Sequence, residues 1–161
     1  MVTSALGGPW PRVLVLLLGL WGASAARAGA QASPVLDTLQ VPPQRTPNGV
    51  RYVFRERGTG PLPKPGQRVS ARYTGFLPDG HIFDSSEGQG GLLKFRVGRH
   101  ELVAGLDEVM PLLPVGSRVW VRVPAALGYG PTGVRHPDDN NRFLVPPNAP
   151  LVFELEIVGV R

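Results

Sequence analysis

The sequence predicts an α+β fold in which a twisted antiparallel sheet of about five strands wraps around one short α-helix. Several stretches alternate between apolar and other residues, with the period of two that is typical of half-buried strands. A single stretch, Glu101–Leu113, has apolar residues at helical spacing instead. The 18 prolines and 21 glycines favour many turns and few long helices. Because one helix cannot cover both faces of such a sheet, we expect the sheet to curl around it.

The first two predicted strands lie on either side of a loop at residues 58–66. The first strand spans residues 50–55, where apolar and other side chains alternate. The second opens the stretch Val69–Ser86, which reads VSARYTGFLPDGHIFDSS. Pro78-Asp79-Gly80 supplies a turn there, because proline fixes φ and glycine accepts a positive φ. The chain is therefore expected to reverse into a further apolar run, Ile82-Phe83.

The remaining elements follow in the second half of the chain. Leu93–Val97 alternates and is a predicted strand. The helix is expected in Glu101–Leu113, and Pro111 should end it early because proline lacks the N–H that a helix needs. Alternation at residues 116–123 and again at 151–158 predicts the last two strands.

The first 30 residues are predicted to be a secretory signal peptide. Val13–Ala26 is a continuous apolar run, preceded by Arg12 and followed by small residues that place cleavage near positions 25–30. A bilayer span needs about 20 apolar residues, so an uncleaved anchor is the weaker interpretation. Membrane contact is then transient, and the mature protein is expected in the periplasm, a secretory lumen, the extracellular space or a thylakoid lumen.

The mature chain is predicted to be a proline-rich linker at residues 31–47 followed by one domain at residues 48–161. Hydrophobic residues make up 42% of the chain and charged residues 18%, which is a globular balance. The absence of cysteine excludes disulfides and cysteine-type zinc sites. Without Arg12 and Arg27 the net charge falls from +5 to +3, and the remaining arginines are scattered, so we expect no nucleic-acid binding.

Two polar clusters could in principle carry hydrolytic or metal chemistry. Ser85 and Ser86 stand near His81 and Asp84, but they lack the strained elbow that exposes a nucleophilic serine. The stretch 136–141 offers oxygen ligands without the spacing of a known calcium loop. Both clusters fit turn roles better, and we expect neither a metal nor a cofactor.

Four motifs resemble those of the FKBP-type peptidyl-prolyl cis-trans isomerases. They are the stretch Val69–Ser86, LVAGL at Leu102–Leu106, ALGYG at Ala126–Gly130 and VPPNAPLVF at Val145–Phe153. The resemblance covers residues 48–161. It implies the FKBP-like sheet-around-helix fold and a monomeric isomerase that acts on X-Pro bonds of client proteins or peptides.

The same resemblance implies an apolar pocket with a few polar groups. The residues expected to be catalytic are Tyr73, Phe83, Asp84 and Tyr129, and those expected to bind substrate are Phe95, Leu102, Val103, Leu106, Val145 and Phe153. Phe95 and Phe153 would be core residues in most proteins, whereas a tyrosine between two glycines is held by tight turns. The Tyr129 hydroxyl and the Val103 N–H are expected to hold substrate carbonyls, and Asp84 to bond Tyr73.

Three departures from the family pattern support a second interpretation. Leu106 stands where the best-known members have tryptophan, which should weaken both turnover and the binding of macrolide ligands. Leu93 replaces a usual aromatic residue, and the loop at residues 134–143 is long and expected over the pocket mouth. The alternative is therefore a weakly active or inactive FKBP-like module that serves as a protein-binding chaperone or scaffold.

Overall fold

The computed structural model describes residues 42–161. The predicted signal peptide and most of the predicted linker lie outside this range. Within it, no helix is both long enough and apolar enough to cross a membrane.

Residues 42–161 form nine strands and one α-helix. The strands are β1 (Gln44–Arg45), β2 (Arg51–Glu56), β3 (Arg68–Phe76), β4 (Ile82–Ser85), β5 (Leu93–Arg96), β6 (Arg118–Val123), β7 (Val134–His136), β8 (Asp139–Val145) and β9 (Leu151–Val160), and the helix is α1 (Ala104–Val109). Short 3-10 turns lie at Glu87–Gln89, Met110–Leu112 and Ala125–Leu127.

Seven of the strands form one antiparallel sheet, in the order β1-β2-β6-β9-β3-β4, with β5 pairing the first half of β3. β3 and β9 form a long ladder that runs from the Val69–Val160 pair to the Phe76–Val152 pair. The alternation that predicted these strands also decides which side chains face α1. The predicted antiparallel sheet with one short helix is confirmed.

The core lies between the inner face of the sheet and α1. The last residue of α1 and two residues that follow it are fully buried in this core: Val109, Met110 and Leu113. The helix approaches β6 closely at Gly105, where an added Cβ would lie 2.5 Å from Cγ1 of Val123. A larger residue at position 105 would therefore push the helix and the sheet apart.

The helix is shorter than its apolar spacing predicted. Val103 is extended, with φ −61° and ψ 144°, so regular helix begins only at Ala104. After Val109 the chain tightens into the 3-10 turn that contains Pro111. The missing proline N–H ends the α-helical ladder there, as expected. The apolar residues at both ends of the predicted span pack on the core without being helical.

Two segments predicted to lack regular structure contain strands. Gln44 and Arg45, at the end of the predicted linker, pair with Tyr52 and Arg51 of β2. The predicted loop at 134–143 is mostly the β7–β8 hairpin, in which His136 opposes Asp139. These strands are short or carry few apolar residues, so their sequences lack the alternation that marks a half-buried strand.

Candidate active site

An open cavity of about 170 Å³ lies between the inner face of the sheet, the start of α1 and the loop that carries Tyr129. Of the ten residues predicted to form a site, eight line this cavity. The lining residues are Tyr73, Phe83, Asp84, Gln89, Leu93, Glu101, Leu102, Val103, Leu106, Tyr129 and Phe153. The walls are therefore mainly aromatic and aliphatic, with a few polar groups at fixed places.

Asp84 is the polar centre of the cavity wall. Its Oδ2 accepts a hydrogen bond of 2.6 Å from the Tyr73 hydroxyl, and its Oδ1 accepts one of 2.8 Å from Nε2 of Gln89. Both carboxylate oxygens are thus engaged by side chains that also line the cavity. Bonds to a charged acceptor are short and strong, so they fix the orientation of all three side chains.

Strand pairing places Asp84 and Tyr73 on the same wall. Asp84 lies opposite Gly75 in the β3–β4 ladder. Just beyond it, the buried Ser86 ties the two strands together: its Oγ accepts a bond of 3.1 Å from the Tyr73 N–H, and its own N–H donates to the Tyr73 carbonyl at 3.0 Å. Ser86 therefore holds the backbone of Tyr73, and its hydroxyl has a structural role.

Aromatic rings form the apolar wall. The Phe83 ring packs edge-on against Phe153 and Tyr129, with centroid distances of 5.8 and 6.3 Å. Tyr73 contacts Phe153 at 6.4 Å. Gly75 leaves room for this arrangement, because a Cβ there would lie 2.7 Å from the Phe83 ring and 3.2 Å from that of Phe153. Edge-to-face packing holds the rings in defined positions.

The start of α1 supplies the floor of the cavity. Leu106 is almost completely buried there, while Leu102 and Val103 are half-buried. The Val103 carbonyl accepts hydrogen bonds from the N–H groups of Leu106 and Asp107 at 2.9 and 3.2 Å. Within residues 42–161 the Val103 N–H donates to no acceptor, so it can bind a ligand carbonyl.

Tight turns hold Tyr129 at the rim. The Gly130 N–H donates to the Ala125 carbonyl at 2.9 Å, and the Gly130 carbonyl accepts from the Asn148 N–H at 2.8 Å. Gly130 has φ 59°, the left-handed region that glycine adopts easily. The Tyr129 side chain is 37% exposed, and its hydroxyl has no hydrogen-bond partner in the described part of the chain.

Both tyrosine hydroxyls remain protonated at any physiological pH. Burial raises the pKa of Tyr73, and the hydrogen bond to Asp84 and the charge of Asp84 raise it further. Burial also raises the pKa of Tyr129, with a further contribution from the Asp84 charge. Tyr73 already donates to Asp84, which leaves Tyr129 as the hydroxyl donor that can bind a ligand.

The sequence of this chain matches a known protein family. Residues 60–158 match the model of a family described as the FKBP-type peptidyl-prolyl cis-trans isomerases, a span that covers more than half of the chain. The chain belongs to this family. The family consists of enzymes that isomerise the peptide bond before proline, and the motifs that suggested it lie on the cavity wall.

Individual relatives agree with the family match. The FKBP chain is 38% identical over 113 residues to the peptidyl-prolyl cis-trans isomerase Fkbp12 of Drosophila melanogaster, covering 70% of the chain and 98% of the relative. It is 36% identical over 115 residues to the outer membrane protein MIP of Legionella longbeachae, covering 71% of the chain but only 46% of that protein. The crystal structure of AtFKBP13 superposes with a TM-score of 0.68 at 31% identity, covering 75% of the chain and all of that structure.

Two predicted site residues of the FKBP chain do not line the cavity. Phe95 is 2% exposed and Val145 is 1% exposed, and both belong to the hydrophobic core. Conversely, three lining residues were not predicted as site residues: Gln89, Leu93 and Glu101. Gln89 carried no periodic signal, and it reaches Asp84 only because the turn at Glu87–Gln89 brings it back five residues later.

The polar clusters that could have carried other chemistry serve the backbone. Oγ of Ser85 accepts from the Gly88 N–H at 3.3 Å, and Oδ1 of Asp79 accepts from the His81 N–H at 3.0 Å. Nδ1 of His136 accepts from the Asp138 N–H at 3.3 Å in the hairpin turn. Among residues 42–161 no group of three or more histidine, aspartate or glutamate side chains could hold a metal ion.

Proposed function

We propose that this FKBP domain accelerates cis–trans isomerisation of X-Pro bonds in client proteins that fold after export. The observation that carries the proposal is that one cavity combines an apolar space with two hydrogen-bond donors. Aromatic rings enclose an apolar space, and two neutral donors, the Tyr129 hydroxyl and the Val103 N–H, have no partner among the described residues.

Such a cavity suits a reaction in which no bond breaks. The barrier to rotation about a prolyl amide is about 18–20 kcal/mol, because rotation destroys the amide resonance. The twisted amide has less charge separation than the planar one, so a water-poor site favours it over the ground state. A rate gain of about ten-thousandfold requires roughly 5.5 kcal/mol, which desolvation and positioning can supply together.

The residues divide this work between them. The Phe83, Phe153 and Leu106 side chains would contact the proline ring. The donors at Tyr129 and Val103 would hold the flanking carbonyls of the peptide. Asp84 acts through its two hydrogen bonds, which engage both of its oxygens and fix Tyr73 and Gln89. In this role it is a positioning residue.

Export is the setting that the apolar run at residues 13–26 favours. The apolar run with small residues behind it has the form of a signal peptide. The Legionella longbeachae relative is named an outer membrane protein, which is in keeping with a client pool beyond the inner membrane. Macrolide ligands would enter the same cavity, with affinity lowered by leucine in place of an indole at position 106.

The second candidate function is a protein-binding module, and the β7–β8 hairpin favours it. Phe143 on β8 is 38% exposed, and the Arg135 guanidinium lies 4.8 Å above its ring. No described residue between 134 and 144 lines the cavity. The hairpin thus presents a half-exposed Phe143 ring, with the Arg135 guanidinium over it, which can contact a client separately from isomerisation.

Exchange NMR on a short X-Pro peptide tests the proposed activity. The full chain should raise the cis–trans exchange rate, and Tyr129→Phe and Asp84→Ala should each lower that gain by about tenfold or more, equal to about 1.4 kcal/mol. Glu87→Ala, an exposed acidic residue near Asp84, is the matched control and should leave the rate unchanged. If both site variants stay folded with full activity, the assignment of this cavity is wrong.

A further inference from the structure

The candidate active-site cavity carries negative charge on an otherwise apolar wall. Among the described residues that line it, two are acidic, Asp84 and Glu101, and none is lysine, arginine or histidine. The other lining residues are aromatic or aliphatic, apart from the neutral amide of Gln89. A ligand that enters the cavity therefore meets two carboxylates and no cationic side chain among these residues.

The hydrogen-bond partners of Asp84 do not cancel its charge. Both of its oxygens accept bonds, but the donors are the hydroxyl of Tyr73, at 2.6 Å, and the side-chain amide of Gln89, at 2.8 Å. Both donors are neutral, and within residues 42–161 no lysine, arginine or histidine forms an ion pair with Asp84. Neutral donors fix the orientation of a carboxylate but leave its full negative charge, which then acts on anything bound beside it.

The charge of Asp84 also affects Tyr129, which lies on a different loop. Burial raises the pKa of Tyr129, and the negative charge of Asp84 raises it further, although the two side chains share no hydrogen bond. A cleft with low-dielectric walls and charge of one sign concentrates the electric field inside it. The field of Asp84 therefore extends beyond its own two donors to groups elsewhere on the cavity wall.

A backbone turn holds the carboxylate of Glu101 at the rim of the cavity. Its Oε2 accepts a hydrogen bond of 3.0 Å from the Arg96 N–H, across a turn in which His100 has φ 56°. The residue is exposed, and its Oε1 accepts no hydrogen bond from the described part of the chain. Glu101 directly precedes Leu102 and Val103, which also line the cavity, so it can contact a substrate side chain that stays outside the apolar space.

We propose that this cavity selects X-Pro bonds in which X is lysine or arginine and disfavours those in which X is aspartate or glutamate. The inference rests on the proposed function, because it concerns the substrate of that same cavity. With the proline ring in the apolar space, the Cα of X lies only about 2.9–3.8 Å from that of proline in either isomer. A long cationic side chain on X can then reach Glu101 within the field of Asp84, whereas an acidic side chain meets like charge.

The proposed preference is opposite in sign to the one that the whole chain would produce. The full sequence has a net charge of +5, so long-range attraction alone would favour acidic peptides. A preference for cationic peptides must therefore come from charges close to the bound proline. This contrast allows a peptide series to separate the local charge of the cavity from the overall charge of the protein.

Peptides of the form acetyl-Ala-Xaa-Pro-Ala-amide, with lysine, glutamine or glutamate as Xaa, test the preference on the full chain. The kcat/KM of the lysine peptide should exceed that of the glutamate peptide about fivefold, with glutamine between them. The order should also appear in Kd, measured from the shift of the Tyr129 amide signal. The glutamine peptide reports on the isomerase itself. If its exchange is not accelerated, the proposed function is wrong, and the order of the three Kd values still decides the charge preference.

Two variants each remove one unit of negative charge from the cavity. Glu101→Gln deletes a carboxylate, and Gln89→Arg places a guanidinium beside Asp84. Each should lower the lysine-to-glutamate ratio about twofold, and the two together should bring it close to one. Glu56→Gln is the matched control, because Glu56 is exposed on β2 and does not line the cavity, and it should leave the ratio unchanged. Equal values for the lysine and glutamate peptides on the wild type, or an unchanged ratio in both folded cavity variants, would overturn the proposal.

Discussion

The Tyr73 hydroxyl lies 2.6 Å from Oδ2 of Asp84, on the wall that β3 and β4 share. This bond joins two strands at the point where they face the cavity, and its acceptor is charged. Gln89 occupies the other carboxylate oxygen. The three side chains therefore form one unit, in which the loss of any member leaves a polar group unsatisfied.

Removing the Tyr73 hydroxyl should affect both stability and activity. Tyr73→Phe leaves one Asp84 oxygen without its donor in a half-buried place, which should cost about 1–3 kcal/mol of the free energy of unfolding. The exchange rate on an X-Pro peptide should fall too, because Asp84 and Gln89 lose their fixed orientation. Denaturant melts and exchange NMR measure the two effects.

Tyr52→Phe is the matched control for that prediction. Tyr52 is also almost completely buried, but its hydroxyl has no hydrogen-bond partner within residues 42–161. The change should therefore alter the free energy of unfolding by less than about 0.5 kcal/mol. Equal losses in the two variants would mean that the bond to Asp84 contributes nothing specific.

Gly75→Ala should disturb the aromatic wall directly. The new Cβ would lie 2.7 Å from Cζ of Phe83 and 3.2 Å from Cε1 of Phe153, so at least one ring must move. We expect a loss of about 1–3 kcal/mol in stability from overpacking and a reduced kcat/KM. Gly159→Ala, also in a strand but with open space around its Cβ position, should be close to neutral. Thermal melts measure the change in stability of both variants, and peptide exchange measures the change in their activity.

The strands could be predicted from sequence because their signal is local. Val119, Val121 and Val123 alternate with Arg118, Trp120 and Arg122, and this alternation identifies the strand and the face that packs on the main core. Trp120 is also buried, on the opposite face, which the alternation did not indicate. The helix limits were less accurate, because the extended Val103 and the 3-10 turn at Pro111 both keep apolar residues at helical spacing. Periodicity reports which residues are buried and not which hydrogen bonds they make.

The sequence indicated some of the residues that line the cavity but not others, because tertiary geometry decides which way each side chain points. Some residues of the resembling motifs line the cavity, as Tyr73 and Leu106 do, and their role as site residues stays a prediction. Val145 lies in one of these motifs and Phe95 lies outside them, and both side chains point into the core. Gln89 was missed because its position depends on a turn that closes only when β4 is in place. The spacing of residues along the sequence does not show in which direction such a side chain points.

Asp107 should make stability depend on pH. Its side chain is 9% exposed, and the facing groups are His100, whose Nδ1 lies 3.3 Å from Oδ2, and Glu101. Within residues 42–161 no donor, His100 included, is aligned well enough to make a regular hydrogen bond to either oxygen. Burial raises the pKa of Asp107, while His100 opposes that shift. Between the pKa of the unfolded chain and this raised value, the folded state binds more protons. Stability is therefore greatest below the unfolded pKa and falls as pH rises through that window.

Asp107→Asn removes the buried charge and tests whether stability falls as pH rises. The variant should melt at a higher temperature than the wild type at pH 7, and the difference should shrink toward pH 4. Asp138→Asn in the exposed hairpin turn is the control and should follow the wild type at every pH. A variant that is less stable than the wild type at pH 7 would show that the His100 contact outweighs the burial of the carboxylate.

Shortening the β7–β8 hairpin should separate client binding from isomerisation. Val134 pairs with the buried Val145, so both are kept and residues 135–143 are replaced by Asn-Gly. Peptide exchange should remain within a few-fold, because no described hairpin side chain lines the cavity. Affinity for an unfolded proline-containing client, measured by titration, should fall. Phe143→Ser should reproduce that loss with the hairpin intact, and unchanged affinity in both variants would refute a binding role.

Leu106→Trp addresses what limits this cavity. Leu106 forms the floor beside Phe153, and leucine leaves space that an indole would fill against a bound proline ring. Added contact of this kind commonly contributes about 1–3 kcal/mol, so kcat/KM on an X-Pro peptide and macrolide affinity should both rise.

The opposing effect is overpacking, which would cost about 1–3 kcal/mol of stability if Leu106, now 4% exposed, has no free volume above it. Leu112→Trp makes the same change at a site that is 43% exposed, and it controls for the substitution itself. Melting temperature, exchange rate and ligand affinity, measured on each protein, separate the two effects. A folded Leu106→Trp chain without any gain would mean that the floor does not limit turnover, and it would favour the protein-binding module over the isomerase.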